Sequence, residues 1–584
     1  MKHHHSMHSA VNAERTQSFR PVLRQLLTGW TGILLIGGLL AVSCSSAAPP
    51  APTSAPTGAA PAATSAPSSP APTTAAAQPT GTAANTLVVA ANFVIHSLDP
   101  GRTVETTSEM IDHATYDSLV TFSGEDLTTP KPSLATSWEI SPDGLTYTFH
   151  LRQGVKFASG NPMTSADVKW SFERVINLKS NPAFFLANVS EIQTPDPMTV
   201  VLKLKKPTPA LLAILSSPSL GIIDSKLVQS KGGVSGQDAS TADKAESFLN
   251  SQSAGTGPFM MTSYTPGQEV DLVKNPNYWG PAPKLDRVVV QNVSDAATEK
   301  LLLQRGSVDI ATGLDQDQIK SLQGVQGITA KTSPAATTFF VLMNNNPQVG
   351  GDFANPLVQQ AVRYALDYQG ILSLAGSGGV RLAGIFPTLF PGALPSQDAV
   401  KQDQAKAKQL LQQANLGHQA TGTISYASDS VIWGVPSAVL AQKIQSDLEA
   451  VGMKINLNGV PTTTALQQYR DGKDQIGVWS WAADYPDGED FLVFAPGNTV
   501  GKRAGWPADA NATAKQIAQT AAQAETETDS AKRIQLYQQF QQELNQSGPY
   551  VPLFQPAVPY AFRSNVTGVT FNSVWGVDFY TVSK

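Results

Sequence analysis

Ser133-Leu134-Ala135-Thr136-Ser137-Trp138-Glu139-Ile140-Ser141-Pro142-Asp143-Gly144-Leu145-Thr146-Tyr147-Thr148-Phe149-His150-Leu151-Arg152 is the stretch on which the reading of the fold turns. From Thr146 to Arg152 apolar and polar residues alternate with a period of two, which puts Tyr147, Phe149 and Leu151 on one face of a half-buried strand. Pro142-Asp143-Gly144 before it is a turn with its own chemistry: proline presets φ, aspartate bonds the main chain two residues on, and glycine accepts a left-handed backbone. The stretch is a β-hairpin. Downstream, Thr164-Ser165-Ala166-Asp167 has the spacing of a helix cap, followed by Val168, Phe172, Val175 and Ile176 at helical intervals. Upstream, Leu87-Val88-Val89-Ala90-Ala91 is a short apolar run of the kind a buried strand needs. Residues 404–414 and 437–451 predict helices, the second with Leu440, Ile444 and Leu448 on one face. Thr423-Ile424-Ser425-Tyr426 and Lys454-Ile455-Asn456-Leu457 flank that second helix as strands, which makes a strand–helix–strand crossover in a sheet with parallel pairing.

The chain has 584 residues, enough for several lobes with a core that needs no metal or disulfide. Forty basic and 45 acidic side chains give a net charge of −5, so no overall positive field exists to hold a polyanion, and nucleic acid is not an expected partner. Cys44 is the single cysteine, which excludes internal disulfides, cysteine-based zinc sites and Cys-x-x-Cys redox chemistry.

Much of the low charged share, 15%, comes from the segments before the fold. Arg15, Arg20 and Arg24 precede the uncharged run from Trp30 to Cys44, and a basic region, a short apolar core and small residues in that order make a secretory signal. Leu40-Ala41-Val42-Ser43-Cys44 resembles a bacterial lipoprotein box, with Ala41 where the pattern prefers leucine. The resemblance implies cleavage before Cys44 and lipidation of its thiol, so that acyl chains tether the protein to the membrane surface. From Ser45 to about Ala84 the sequence holds Ala, Pro, Ser, Thr, Gly and one Gln, with no charge, no aromatic residue and no periodicity. It cannot bury enough apolar area to offset the entropy of ordering, and residues 45–86 are expected to form a disordered, proline-stiffened linker.

The hairpin stretch, continued through Gln153-Gly154-Val155-Lys156-Phe157, resembles the signature of the family 5 solute-binding proteins, the extracytoplasmic oligopeptide-, dipeptide- and nickel-type receptors of ABC importers. The similarity continues in Gly160-Asn161-Pro162-Met163-Thr164-Ser165-Ala166-Asp167-Val168-Lys169-Trp170-Ser171. It recurs in Gly255-Thr256-Gly257-Pro258-Phe259, in Asn275-Pro276-Asn277-Tyr278-Trp279-Gly280, in Val362-Arg363-Tyr364-Ala365-Leu366-Asp367 and in Trp481-Ala482-Ala483-Asp484-Tyr485-Pro486-Asp487. The resemblance implies an α/β, periplasmic-binding-protein-like type II fold of the cluster C type: two lobes around a ligand cleft, with an extra small domain. The expected divisions are 1–44 for the signal peptide, and 87–128 with 255–337 and 548–584 for the first lobe. The extra domain is expected at 129–254 and the second lobe at 338–547.

No Gly-x-Ser-x-Gly elbow, His-Glu-x-x-His pair or dinucleotide glycine pattern occurs, and Gly497-Asn498-Thr499-Val500-Gly501-Lys502 is one residue short of a phosphate loop. His96, His113, His150 and His418 are scattered without metal-ligand spacing; His96 is nearest the expected cleft. The chain is therefore expected to bind without catalysing, and with no cofactor or metal. Val478-Trp479-Ser480-Trp481-Ala482 alternates, so Trp479 and Trp481 share one side and Ser480 and Ala482 the other. The resemblance implies that this segment pairs with the ligand main chain as an added strand, and that Asp484 anchors the ligand's α-ammonium group; a turn before Pro486 is the alternative role for Asp484. Trp481 either stacks on ligand or packs the lobe. Across the cleft, residues 103–108 are expected as another ligand-facing strand, with Thr106, Thr107 and Ser108 as candidates. The partners implied are a short peptide, the transmembrane subunits of an ABC permease and the membrane through the lipid, with the receptor itself a monomer. An oligosaccharide or a nickel or other metal chelate is the alternative cargo, the paired tryptophans favouring sugar and Asp484 favouring peptide.

Overall fold

The computed structural model describes residues 85–584. The expected signal peptide, the lipidation residue Cys44 and nearly all of the 45–86 linker lie outside the described residues. Three sheets organise the rest. The hairpin forms as expected: Ala135–Ile140 pairs antiparallel with Thr146–Leu151, and Asp143 accepts the Leu145 N–H at 3.0 Å while Gly144 takes φ +67°. Thr199–Leu204 and Val189–Asp196 complete this four-stranded sheet of the extra domain. The cap also forms, with Asp167 accepting the Thr164 N–H at 2.8 Å ahead of the helix Ser165–Leu178.

Around Thr86–Ala91 a seven-stranded sheet is built. Arg287–Asn292 and Ile310–Ala311 lie parallel on either side of that strand, and Leu87 and Val89 are fully buried. The second lobe holds a six-stranded sheet in the order Val380–Arg381, Tyr550–Gln555, Thr337–Met343, Ile476–Ala482, Thr421–Ala427, Lys454–Val460. Thr421–Ala427 and Lys454–Val460 pair in parallel, and the helix Ser437–Ala450 between them buries Leu440, Ile444 and Leu448 completely.

Two strands of each sheet continue into the other. Ile328–Pro334 pairs with Ala557–Arg563 in the first lobe, and their continuations Thr337–Met343 and Tyr550–Gln555 pair in the second. Between them the chain crosses as a two-stranded ribbon: Ala335 N–H donates to Pro556 O at 3.0 Å, and Gln555 Nε2 donates to Ala335 O at 2.9 Å. This corrects the division expected at residue 548. Tyr550–Gln555 belongs to the second lobe's sheet because it is the hydrogen-bonded neighbour of Thr337–Met343, and the return to the first lobe comes at Pro556.

The extra domain is fastened to the first lobe by charge. Arg174, on the helix Ser165–Leu178, is fully buried and donates to both oxygens of Asp99 (2.8 and 2.6 Å) and both of Asp243 (2.8 and 3.0 Å). Arg102 adds bonds to the same two carboxylates at 3.2 and 3.1 Å. No helix among the described residues is long and apolar enough to cross a membrane. Because Arg174→Leu leaves two buried carboxylates short of their cation, it is expected to lower stability by about 3–5 kcal/mol, which equilibrium denaturation measures; an unchanged midpoint would show that the network contributes nothing net.

Candidate functional site

A cavity of about 680 Å³ lies between the lobes. Its first-lobe wall includes Ala91 and Thr312, which sit at or just past the carboxyl ends of the parallel strands Thr86–Ala91 and Ile310–Ala311, where open α/β sheets present their crevice. Its second-lobe wall is a small hairpin in which Val431–Ile432 pairs with Val435–Pro436. The turn residues Trp433 and Gly434 take φ +51° and +78°, the left-handed pair that a two-residue hairpin requires; for a tryptophan that conformation costs about 1–2 kcal/mol. The indole is held on both sides. Its Nε1 donates to Thr337 Oγ1 at 3.1 Å beside the crossing ribbon, and its ring meets first-lobe Phe571 edge-on at 6.4 Å. Trp433 is absent from the sequence reading, although Trp-Gly flanked by Val and Ile carries a hairpin signal.

The expected ligand-facing strand at 103–108 is not one. Thr106–Thr115 is a helix, whose buried face is made by Met110, Ile111 and Ala114 and whose first turn carries Glu109, an acid placed favourably at the positive helix end. Thr106 and Thr107 line the cavity. Ser108 does not: it is fully buried, and its hydroxyl donates to Ser97 O at 2.9 Å, a bond that ties the helix to the preceding loop.

Opposite, the strand Ile476–Ala482 pairs along its whole length with Thr337–Met343, but with Thr421–Ala427 only at Ile476 and Gly477. Beyond Gly477 its other edge is therefore open. Ala483 N–H donates to Ala336 O at 2.8 Å, so by the antiparallel alternation the main-chain groups of Ser480 and Ala482 point to the open edge. Trp479 and Trp481 share a side that packs on the lobe core, Trp479 buried and Trp481 half-buried. Trp479 Nε1 donates to Asp474 at 2.8 Å and its ring stacks on Tyr469; Trp481 Nε1 donates to Asp490 at 3.0 Å and its ring packs edge-on against Phe494. Of the two roles open to Trp481, the geometry matches lobe packing.

Asp484 follows at the end of this edge. Its N–H donates to Asp490 Oδ2 at 3.3 Å, while its own carboxylate accepts no hydrogen bond among the described residues, and burial pushes its pKa up to about 6. Asp490 is turned back toward Trp481 and Asp484, and burial, then the Asp484 charge, hold its carboxyl well above the usual range. Asp487 caps the short 3-10 helix Gly488–Phe494 through the Glu489 N–H and pairs with Arg533 at 2.7 and 3.0 Å. In the first lobe, Glu109 is 5% exposed, its Oε1 accepts the hydroxyls of Ser217 and Ser219 at 3.3 Å each, and its Oε2 accepts no hydrogen bond among the described residues. Burial, and next the charge of Asp484, raise its pKa to about 8. Glu109 is absent from the sequence reading: a glutamate in a helix's first turn reads as dipole complement, and its burial against Ser217 and Ser219 exists only after folding. His96 pairs with Glu105 on the surface, and among the described residues no group of three or more His, Cys, Asp or Glu is disposed to hold a metal.

The profile of the family described as "Bacterial extracellular solute-binding proteins, family 5 Middle" matches residues 129–503. The probable D,D-dipeptide-binding periplasmic protein DdpA of Escherichia coli K12 is 28% identical over 82% of this chain and 89% of its own. Di/tripeptide-binding protein 2 of Pseudomonas aeruginosa is 27% identical over 87% and 96%. Among solved structures, the ABC transporter-associated periplasmic binding protein DppA of Helicobacter pylori in complex with the peptide STSA superposes with a TM-score of 0.69 at 26% identity, covering 85% of this chain and 98% of that one. The two-lobed architecture is thus that of the periplasmic binding proteins, and the chain belongs to the family 5 extracellular solute-binding proteins.

Proposed function

We propose that this protein captures short peptides outside the cytoplasm by closure of its two lobes and delivers them to the transmembrane subunits of an ABC importer. The observation that carries this reading is the open strand edge at Ser480 and Ala482 leading directly to the unpartnered Asp484 carboxylate. An extended peptide adds to such an edge through its main chain, which gives affinity without demanding particular side chains. Asp484 then receives the α-ammonium group, and Thr106 and Thr107 border the space for side chains beneath the Trp433 hairpin. Relatives whose names specify D,D-dipeptides and di- or tripeptides support peptide as the cargo class. The oligosaccharide alternative drew on Trp479 and Trp481; Trp479 is buried, Trp481 half-buried, and both indole N–H groups are bonded within the second lobe, which supports peptide over sugar. The protein acts as a binding component and performs no chemistry on its cargo. A diacylated Cys44 holds it, as a monomer, at the outer face of the cell membrane, with residues 45–86 as the tether.

Calorimetry with a panel of free-amine di- and tripeptides tests the reading. Asp484→Asn is expected to weaken the tightest of them about 10- to 100-fold, the scale of one charge-assisted hydrogen bond, and N-acetylation of that peptide to cost the unmodified protein a similar factor. Equal affinity of both proteins for the free-amine peptide would remove the assigned role of Asp484. N-methylation of a main-chain nitrogen within the same peptide is expected to cost about tenfold by deleting one bond to the strand edge, and a full set of methylated peptides binding as tightly as the parent would exclude strand addition.

A further inference from the structure

Resting on the peptide reading, we propose that the cavity between the lobes is a specificity pocket for one large apolar side chain of the cargo. Trp433 is the residue that selects it, and Asp315 and Asp429 are the groups that turn acidic side chains away.

The cavity, about 680 Å³, is of the size that ligand pockets have, and Met110, Trp433, Pro559 and Phe571 supply apolar surface to its wall. Trp433 comes from the second lobe but packs on the first: it lies against that lobe's hydrophobic core and meets Phe571 edge-on at 6.4 Å. The hairpin that carries it is seated as closely, since a Cβ on Gly434 would stand 3.3 Å from the Gln316 main-chain nitrogen. The indole nitrogen is fixed by its bond to Thr337 Oγ1 at 3.1 Å, and the residue stays half-buried on the cavity wall. Its backbone takes φ +51°, which glycine adopts freely and tryptophan only under strain. A position that favours glycine therefore holds the bulkiest of side chains, and strain of this kind collects at ligand clamps. Because both lobes contact the ring, this aromatic wall is complete only when the lobes are together.

Among the described residues no Lys, Arg or His lines the cavity; its ionisable lining groups are Asp315 of the first lobe and Asp429 of the second. Both already serve as structural acceptors. Asp315 Oδ1 takes the Asp317 and Gln318 N–H groups at 2.9 and 2.8 Å at the start of the helix Gln316–Leu322. Asp429 Oδ1 takes the N–H and hydroxyl of Thr462 at 2.8 and 2.6 Å, bonds that hold its carboxyl below the usual range and so ionised at neutral pH. The acids are accounted for without a cationic ligand, yet their charge remains on the cavity wall. A carboxylate side chain entering there meets two like charges and no partner, whereas an apolar one sheds water against the indole and Phe571.

The test is a double-mutant cycle between cargo and protein, read by calorimetry. In the tightest free-amine tripeptide of the panel, each position in turn carries Phe, Ala, Lys, Gln or Glu, and each peptide is titrated into the parent, Trp433→Gly and Trp433→Phe. At one position the parent is expected to bind the Phe form about 10- to 100-fold tighter than the Ala form, the scale of burying one large apolar side chain. Trp433→Gly, which the turn accommodates, is expected to cut that preference about 3- to 10-fold, and Trp433→Phe, which keeps an aromatic ring, to retain most of it. Trp433→Asn, whose side chain also tolerates the left-handed turn, gives the same readout without the flexibility of glycine. A tryptophan that only fastens the lobes would weaken every peptide equally, so a Phe-over-Ala ratio left unchanged by these variants at all positions overturns the selecting role. At the same position the Gln form is expected to bind about tenfold tighter than the Glu form, with Asp429→Asn narrowing the gap; equal binding of the two by the parent overturns the role of the acids. A Lys form that outbinds the Phe form overturns the apolar assignment. Failure of every free-amine peptide to bind overturns the peptide reading and this inference with it.

Discussion

Everything the site can do depends on a ribbon two strands wide. The chain passes from first lobe to second between Pro334 and Thr337 and returns between Gln555 and Ala557, and the two passages are hydrogen-bonded to each other. Gln555 secures the crossing: its amide donates to Ala335 O, and its carbonyl accepts both the N–H and the hydroxyl of Thr388 at 2.8 Å. The second lobe also holds the ribbon, since Ala336 O accepts the Ala483 N–H at 2.8 Å. The crossing is the place about which the lobe closure of the proposed function turns, and so acts as its hinge.

That hinge decides where recognition can occur. The cavity opens at the carboxyl ends of the first lobe's parallel strands and is walled on the second-lobe side by the Trp433 hairpin. Backbone edge and acid come from one segment, Ser480 to Asp484, and the aromatic cover from the Trp433 hairpin of the same lobe, while Thr106 and Thr107 come from the first lobe. The Trp433 hairpin is the clearest contact across the gap. Its strained turn rests near Asp315 and Gln316, its indole against Phe571, so the second lobe covers the cavity with this hairpin. The extra domain supplies Ser217 and Ser219 behind Glu109, and the buried Arg174 network holds that domain in register with the helix that carries Glu109.

What the sequence made legible was the chemistry that acts over short range. The Pro142-Asp143-Gly144 turn, the Thr164–Asp167 cap and the apolar face of Leu440, Ile444 and Leu448 each declare a local structure that packing then confirms. The alternation of Trp479 and Trp481 correctly put both rings on one side, but not which side, because a period of two cannot tell core from cleft. The strand expected at residues 103–108 came from the family resemblance and not from a local pattern; burial of Met110, Ile111 and Ala114 makes the segment from Thr106 helical. Tyr550–Gln555 could be assigned to a lobe only by its pairing partner, which the fold supplies.

The most direct measurement is a crystal structure of the protein with a bound free-amine peptide. The account predicts the α-nitrogen about 3 Å from the carboxylate of Asp484, with the peptide main chain paired to Ser480 and Ala482. A peptide bound in the opposite direction, or one that leaves the 480–482 edge unpaired and Asp484 without a cation, would contradict it.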